Sequence, residues 1–449
     1  MTKKEAEDLI YRSYLKANKH LDRNVKDAYK RHPEITHDLL HDFSDEALSV
    51  AITGSKGKGS VANMISLILQ NKFKVGLMTS PHIISFCERF KINNEDISEE
   101  DFINLIQEIR PEIDAIEATL PQNVAISPMG IESYAALKYF KENNTDFNVF
   151  ECGKGARFDD VNNIKHDYSV INPIFLEHTR ELGDTVADIA FDKAHIITGE
   201  QKCVYVSSQP SEEALRIIKD RAFMFGTKLK LYGEDFEAEN IRYTRRGMFF
   251  DVRLAGGVGV EFKDIFVPLL GEYQAENCAL AMALCLDVLG ELTEKEVNES
   301  MKRLDWPGRM EILSDEPFIL LDACINKVDA EEVVKVLKEL KIDKVNTVIG
   351  IPDDKDYLGV ALVMSGISDK LIMTRSDNPH YVFTPKAAAT KVTSALEGLE
   401  PKPKKKNCKI TWAGSFVEAI SNARELQKDK PLIILGTTSL ISEAKRIAL

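Results

Sequence analysis

Leu48-Ser49-Val50-Ala51-Ile52-Thr53-Gly54-Ser55-Lys56-Gly57-Lys58-Gly59-Ser60 is the stretch from which the rest of the chain can be read. Leu48–Thr53 is an apolar run of strand length, and helical text begins near Val61. Between them stand three glycines, two lysines and two serines. Strand, glycine-rich turn and helix follow one another in the order that a phosphate-binding loop requires. Glycines let backbone N–H groups turn inward, and the helix N-terminus adds partial positive charge. Lys58 can reach the β and γ phosphates of a nucleotide, and Ser60 can face a metal ion or a phosphate. The spacing is shorter than the commonest form, G-x-x-x-x-G-K-[ST], and an ordinary flexible turn is the competing reading.

Working outward, short apolar runs recur at Val75–Thr79, Val149–Cys152, Ser169–Ile174 and Val204–Ser207, with helical text between them. Such runs suit buried parallel strands, so the class is α/β. From about 229 to 268 the text alternates with period two (ENIRYTRRGMFFDVRLAGGVGVEF). This predicts a small antiparallel ribbon laid on the sheet, followed by a helix over about 272–290. Residues 1–45 read as polar helices. Trp306-Pro307-Gly308 marks a boundary, giving domains 1–305 and 306–449. Beyond it, Phe318–Asp322, Val345–Ile351, Lys370–Thr374, Lys409–Trp412 and Leu432–Gly436 are strand candidates. Each precedes a helix, as in a small doubly wound sheet.

The chain has 449 residues, 44% hydrophobic and 29% charged, which accommodates two or three folded domains. Its net charge of −13 disfavours nucleic acid as a partner. The one basic cluster, Lys402, Lys404, Lys405 and Lys406, sits among prolines and reads as a solvated loop. With no apolar run of membrane-spanning length and no secretory pattern at its start, no membrane association and a cytoplasmic location are expected. Seven scattered cysteines without a C-x-x-C pair predict reduced thiols rather than disulfides or a thiolate zinc site.

GSKGKGS, TSPHIISFCERFKINNEDIS, FECGKGARFDDVNNI, LEHTRELGDTVADIAFDKAHII, GEYQAENCALAMA, WPGRMEIL, LLDACIN, IPDDKDY and LGTTSLISEA occur in that order. Together they resemble the successive motifs of the folylpolyglutamate and dihydrofolate synthases, within the Mur ligase superfamily, over about 48–449. The resemblance implies an α/β P-loop ATPase domain with a parallel sheet, a smaller Rossmann-like C-terminal domain, and a reaction in the cleft between them. It implies ATP as cofactor, with Gly54 through Ser60 on the phosphates. It implies Mg2+, as two ions, held by Ser80, Glu151 and His178, with Lys193 carbamylated to serve as a further ligand. Asn277 is expected against adenine, and Arg309 and Asp322 at the nucleotide. Lys58, Lys193, Arg309 and Asp322 are the candidate catalytic groups. Taken singly, Ser80 also suits a cap before Pro81, Glu151 a surface acid, His178 a core histidine and Asp322 a helix N-cap.

The expected partners are a small-molecule carboxylate and an amino acid, glutamate foremost, and the resembled folate enzymes are commonly monomeric. Two departures bear on substrate. Asp322-Ala323-Cys324-Ile325-Asn326-Lys327 lacks the histidine and proline of the family's D-G-A-H-N-P, and Tyr273 stands where a histidine is common. Asp377-Asn378-Pro379-His380 is similar to the S-D-N-P-R motif with which Mur ligases recognise the incoming amino acid, so Asp377, Asn378 and His380 are candidates for that contact. Three functions remain open: glutamate ligation to a folate-type acid, a Mur-type ligase for another acid such as a cell-wall or cofactor precursor, and a catalytically degenerate nucleotide-binding protein.

Overall fold

The computed structural model describes residues 1–21, 30–43, 47–255, 259–378, 381–398, 408–424 and 430–447. His380 and the 402–406 lysine cluster lie outside them. The chain divides into two compact units. One comprises Met1–Glu239, Asp251–Ile265 and Glu276–Leu304; the other comprises Asn240–Phe250, Phe266–Ala275 and Asp305–Leu449.

The first unit opens with α1 (Lys3–Asn18) and α2 (His37–His41). A capping box between Thr2 and Glu5 starts α1, and Ala6, Leu9, Ile10, Ser13 and Ala17 form its buried stripe. There follow β1 (Leu48–Thr53), α3 (Lys58–Leu69), β2 (Val75–Met78), β3 (Phe90–Ile92), β4 (Glu95–Asp96), α4 (Glu99–Glu117), α5 (Pro128–Glu142), β5 (Phe147–Glu151), β6 (Tyr168–Ile171), α6 (Thr179–Leu182), α7 (Val186–Ala194), β7 (Cys203–Val206), α8 (Glu212–Phe225) and β8 (Leu229–Leu231). The eight strands form one sheet in the order β4-β3-β2-β5-β1-β6-β7-β8. Six run parallel, and the short β3 and β4 finish one edge antiparallel. β1 is central and buried along nearly its whole length, which is why its sequence is apolar without alternation. α3 is buried on all sides from Ser60 to Leu69.

β9 (Phe236–Thr244), β10 (Gly247–Leu254) and β11 (Val260–Val267) form a sheet of their own in the order β11-β10-β9, followed by α9 (Glu272–Leu289) and α10 (Glu294–Met301). The sequence started this ribbon too early. Leu229–Leu231 instead pairs in parallel with β7 at the edge of the large sheet.

The second unit carries β12 (Glu311–Asp315), β13 (Phe318–Asp322), α11 (Lys327–Glu339), β14 (Val345–Gly350), α12 (Tyr357–Ser365), β15 (Ser368–Met373), α13 (Pro385–Glu397), β16 (Lys409–Trp412), α14 (Phe416–Arg424), β17 (Leu432–Gly436) and α15 (Thr438–Arg446). Its sheet order is β12-β13-β17-β14-β15-β16, parallel apart from β12. The five strands expected here are present, each followed by a helix. β12 was not foreseen, because a half-buried antiparallel edge strand lacks the apolar run that marks its neighbours.

None of the described helices is long and apolar enough to cross a membrane. The seven cysteines are unpaired, and all but Cys408 are buried. One buried ion pair fixes α5 against the chain before β3: Arg89 Nη1 donates to Glu132 Oε1 and Oε2 at 2.8 and 2.7 Å. Burial raises the Glu132 carboxyl, with Arg89 opposing the shift. Glu132→Ala would leave a buried guanidinium without its counter-charge, so we expect a loss of about 3–5 kcal/mol in stability, read by urea unfolding. A loss near zero would show that water or another acid replaces Glu132.

Candidate active site

β5, β1 and β6 are neighbours whose C-terminal ends stand side by side, with Ile52 opposite Glu151 and Thr53 opposite Ile171. In such sheets ligands bind beyond these ends, where consecutive connections diverge. The expected loop leaves β1 here. Its helix begins at Lys58, three residues before the expected Val61, so Gly59 and Ser60 belong to the first helical turn. Gly57 is the residue before the helix, in the left-handed region at φ +85°. A Cβ there would lie 2.8 Å from both Asn172 Nδ2 and Asn277 Oδ1, so only glycine lets the loop pass. Asn172 Nδ2 donates to Asn277 Oδ1 at 3.1 Å, which holds the amide of α9 against the loop. Ser55 closes the loop's other side: its N–H reaches Pro173 O at 2.9 Å, and its Oγ accepts from Phe175 N–H at 3.0 Å. Lys56 lies over the Phe175 ring.

The two lysines named as candidate catalytic groups reach one backbone oxygen. Lys58 Nζ donates to Gly54 O at 3.0 Å and Lys193 Nζ donates to the same atom at 2.9 Å. Lys193 is 1% exposed and forms an ion pair with Glu177 Oε1 at 3.1 Å. Burial, then the neighbouring Lys58, lowers the Lys193 ammonium below its usual range, with Glu177 opposing. Burial raises Glu177, but Lys193 and Lys58 outweigh it and leave its carboxyl below the ordinary range. The sequence reading picked out His178 and passed over Glu177 beside it. Asn172, on the residue after β6, was also missed. A polar residue directly after a buried strand at the divergence point was the available signal.

Glu151 ends β5 and its Oε2 accepts the Ser80 N–H at 2.9 Å, so two of the expected metal ligands meet. Glu151 is buried, and therefore not a surface acid. His178 precedes α6 in a left-handed conformation, and burial lowers its imidazole. Its Nε2 lies 3.9 Å from Glu177 Oε2. Among the described residues no group of three His, Cys, Asp or Glu side chains converges as a metal cage. Oxygen donors from Glu151 and Ser80 nevertheless suit Mg2+, which takes one or two carboxylates plus substrate phosphates and water rather than an all-protein cage.

The second unit groups different candidates. Asp322 Oδ2 accepts the Met310 N–H at 2.8 Å, and Asn326, not Asp322, is the N-cap of α11. Arg309 Nη1 donates to Gly308 O at 3.1 Å. Burial, then Asp322, raises the Tyr273 phenol well above its usual range, with Arg309 opposing. Asp377 N–H donates to Glu443 Oε1 at 2.7 Å, and Asn378 Nδ2 donates to Ser439 Oγ at 2.7 Å. This pins the loop after β15 to α15. At the ends of β15 and β17, the buried hydroxyls of Thr374 and Thr437 have no hydrogen-bond partner among the described residues.

Residues 52–285 match the Mur ligase middle domain. The chain belongs to the Mur ligase family. The curated proteins similar to it include folylpolyglutamate and dihydrofolate synthases. It is 27% identical over 422 residues to the folylpolyglutamate synthase of Lacticaseibacillus casei, covering 92% of this chain and 93% of that protein. It is also 27% identical over 410 residues to a probable bifunctional folylpolyglutamate synthase/dihydropteroate synthase of Haloferax volcanii. That match takes in 88% of this chain and spans only 45% of the longer protein. The fold is that of the Mycobacterium tuberculosis folylpolyglutamate synthase complexed with ADP and AMPPCP, with TM-score 0.82, 23% identity and coverage of 98% and 99% of the two chains.

For this ligase we expect Gly57→Ala to lose nucleotide affinity and Lys58→Ala to lose ATP turnover, both with an unchanged circular dichroism spectrum. A fluorescent-nucleotide titration and a phosphate-release assay check them. Wild-type values in either variant would remove the loop from the reaction.

Proposed function

We propose that this ligase uses ATP to join glutamate to a folate-type carboxylate through an acyl phosphate. The observation that carries the reading is the pair of lysines on Gly54 O beside Glu151, at the C-terminal ends of β1 and β5. A triphosphate entering there meets loop N–H groups and two ammonium groups, and Lys58 can exchange its bond to Gly54 O for phosphate oxygens. The named relatives favour folate over the other acids and over a degenerate nucleotide binder.

The γ-phosphoryl group passes to the substrate carboxylate, the amine attacks the acyl carbon, and phosphate leaves as the amide forms. No nucleophilic side chain is needed, so positioning and charge stabilisation supply the catalysis. Glu151 and Ser80 would hold Mg2+, with His178 near a second ion, and the metal would offset the triphosphate charge. Arg309 is suited to an anionic group, because its planar fork binds two oxygens and keeps its charge. For the amino acid's carboxylate we propose the corner formed by Asn378, Thr374 and Thr437; the two threonine hydroxyls, without a partner among the described residues, support it. Asp377 and Glu443 tie that loop to α15.

Phosphate release from Mg-ATP, with mass analysis of products across folate and non-folate acids and several amino acids, tests the function. We expect release dependent on a reduced folate or pteroate, with a glutamyl adduct as product. Release with a different acid only would overturn the folate assignment.

Carbamylation of Lys193 is part of the same proposal. Burial beside Lys58 favours its free amine, whereas the pair with Glu177 holds the ammonium. A carbamate would repel Glu177, so it is expected only once metal and nucleotide are bound. Isotope-labelled bicarbonate should give a carbamate carbon resonance in the Mg-nucleotide complex that is absent from Lys193→Arg. Its absence from the wild-type complex would leave Lys193 acting as an ammonium.

A further inference from the structure

Asp192 precedes Lys193 on α7 and is 3% exposed. Its side chain turns toward the loop that follows β5. Oδ1 accepts the N–H of Ala156 at 2.8 Å and that of Arg157 at 3.3 Å, while the Asp192 carbonyl also takes the Arg157 N–H at 3.2 Å. The approach is close enough to dictate a glycine: Gly155 sits at φ +74°, and a Cβ there would lie 2.1 Å from Asp192 Oδ1. The carbonyl of Gly155 in turn accepts the hydroxyl of Thr53 at 2.7 Å. Thr53 is the last residue of β1 and is bonded covalently to Gly54, whose oxygen receives Lys193 Nζ.

These contacts close a ring. It runs from Gly54 to Thr53, across a hydrogen bond to Gly155, through Ala156 and Arg157 to Asp192, along the chain to Lys193, and back to Gly54. Every non-covalent link is a hydrogen bond between described, buried or half-buried groups. The loop in the ring begins two residues after Glu151, and Asp159 holds its first part by accepting the N–H groups of Gly153 and Lys154 at 3.0 and 2.9 Å. Neither the phosphate chemistry nor the metal ligation described above uses Asp192, yet its carboxylate is the joint between the helix that bears Lys193 and the loop that follows Glu151.

We propose that Asp192 is a positioning residue: by seating the 153–157 loop it sets where Lys193 stands relative to Gly54 and Glu151, and so tunes the affinity of the site for Mg-ATP. The inference rests on the nucleotide-site reading and is independent of the acceptor. A hydrogen-bonding acceptor, not a negative charge, is what the ring requires, and asparagine can supply it.

The test is Mg-ATP binding by titration calorimetry, without acceptor or amino acid, to the full chain and to Asp192→Ala, Asp192→Asn, Thr53→Val and Thr53→Val/Asp192→Ala. Thermal unfolding is followed in parallel. Outer partners of metal-ligating groups cost about 10- to 100-fold in metal affinity or activity when removed, and the Mg-ATP affinity of Asp192→Ala should fall by an amount in that range. Asp192→Asn should bind close to wild type. Thr53→Val, which removes only a hydroxyl from a residue of the same shape, should weaken binding in the same direction. The double variant should lose less than the two single losses combined, because both cut one ring. Wild-type affinity in Asp192→Ala or in Thr53→Val, equal losses in the alanine and asparagine variants, or fully additive losses would each overturn the proposal. If Asp192→Ala does not fold, Thr53→Val and Asp192→Asn still decide it. Because binding is read without acceptor, a negative result leaves the folate reading untouched, and failure of glutamate transfer in the wild type leaves this one untouched.

Discussion

Two ammonium groups share one carbonyl oxygen at the end of the central strand, and the first unit is organised around making that tolerable. Lys58 reaches Gly54 O from the first turn of α3, and Lys193 reaches it from the last turn of α7. A buried cation is costly without a counter-charge, and Glu177 supplies one for Lys193. Lys58 has no such ion pair among the described residues and stands at the N-terminal turn of α3, where the helix dipole adds partial positive charge. A polyanion is favoured by such a helix N-terminus, which is the physical reason a triphosphate is proposed there.

Such a convergence needs backbone to pass very near backbone. Gly57 threads between the amides of Asn172 and Asn277, and Gly155 lies against the Asp192 carboxylate. A methyl group at either position would push apart elements that carry the site. The parallel order β5-β1-β6 provides the frame, because it delivers Glu151, Gly54 and Asn172 from adjacent central strands at the C-terminal end of the sheet.

The second unit repeats the general logic with other chemistry. Asp322 leaves the end of β13, takes a backbone N–H and acts on Tyr273 alongside Arg309. Burial and Asp322 push the Tyr273 phenol up, at a position where the resembled family commonly carries a histidine. The family's histidine after Asp322 is likewise absent here, with Ile325 in that stretch.

The sequence by itself determined the α/β class and the glycine-rich turn from β1 into α3 with its two lysines. β1, β13, β16 and β17 were legible to the residue, because each ends against a recognisable turn or helix start and all but β16 are almost wholly buried. Short strands with polar or half-buried text were not legible: β3, β4 and β12 exist because an edge of a sheet offers them hydrogen bonds, not because of their own residues. Lys193 could be marked from its motif, but its partner Glu177, the Asn172–Asn277 contact across 105 positions, and the seating of the 153–157 loop by Asp192 could not. Those are decided only by tertiary structure, since a local pattern records which groups a chain carries, whereas pairing a buried charge or amide depends on which distant segments the sheet order brings within 3 Å or so.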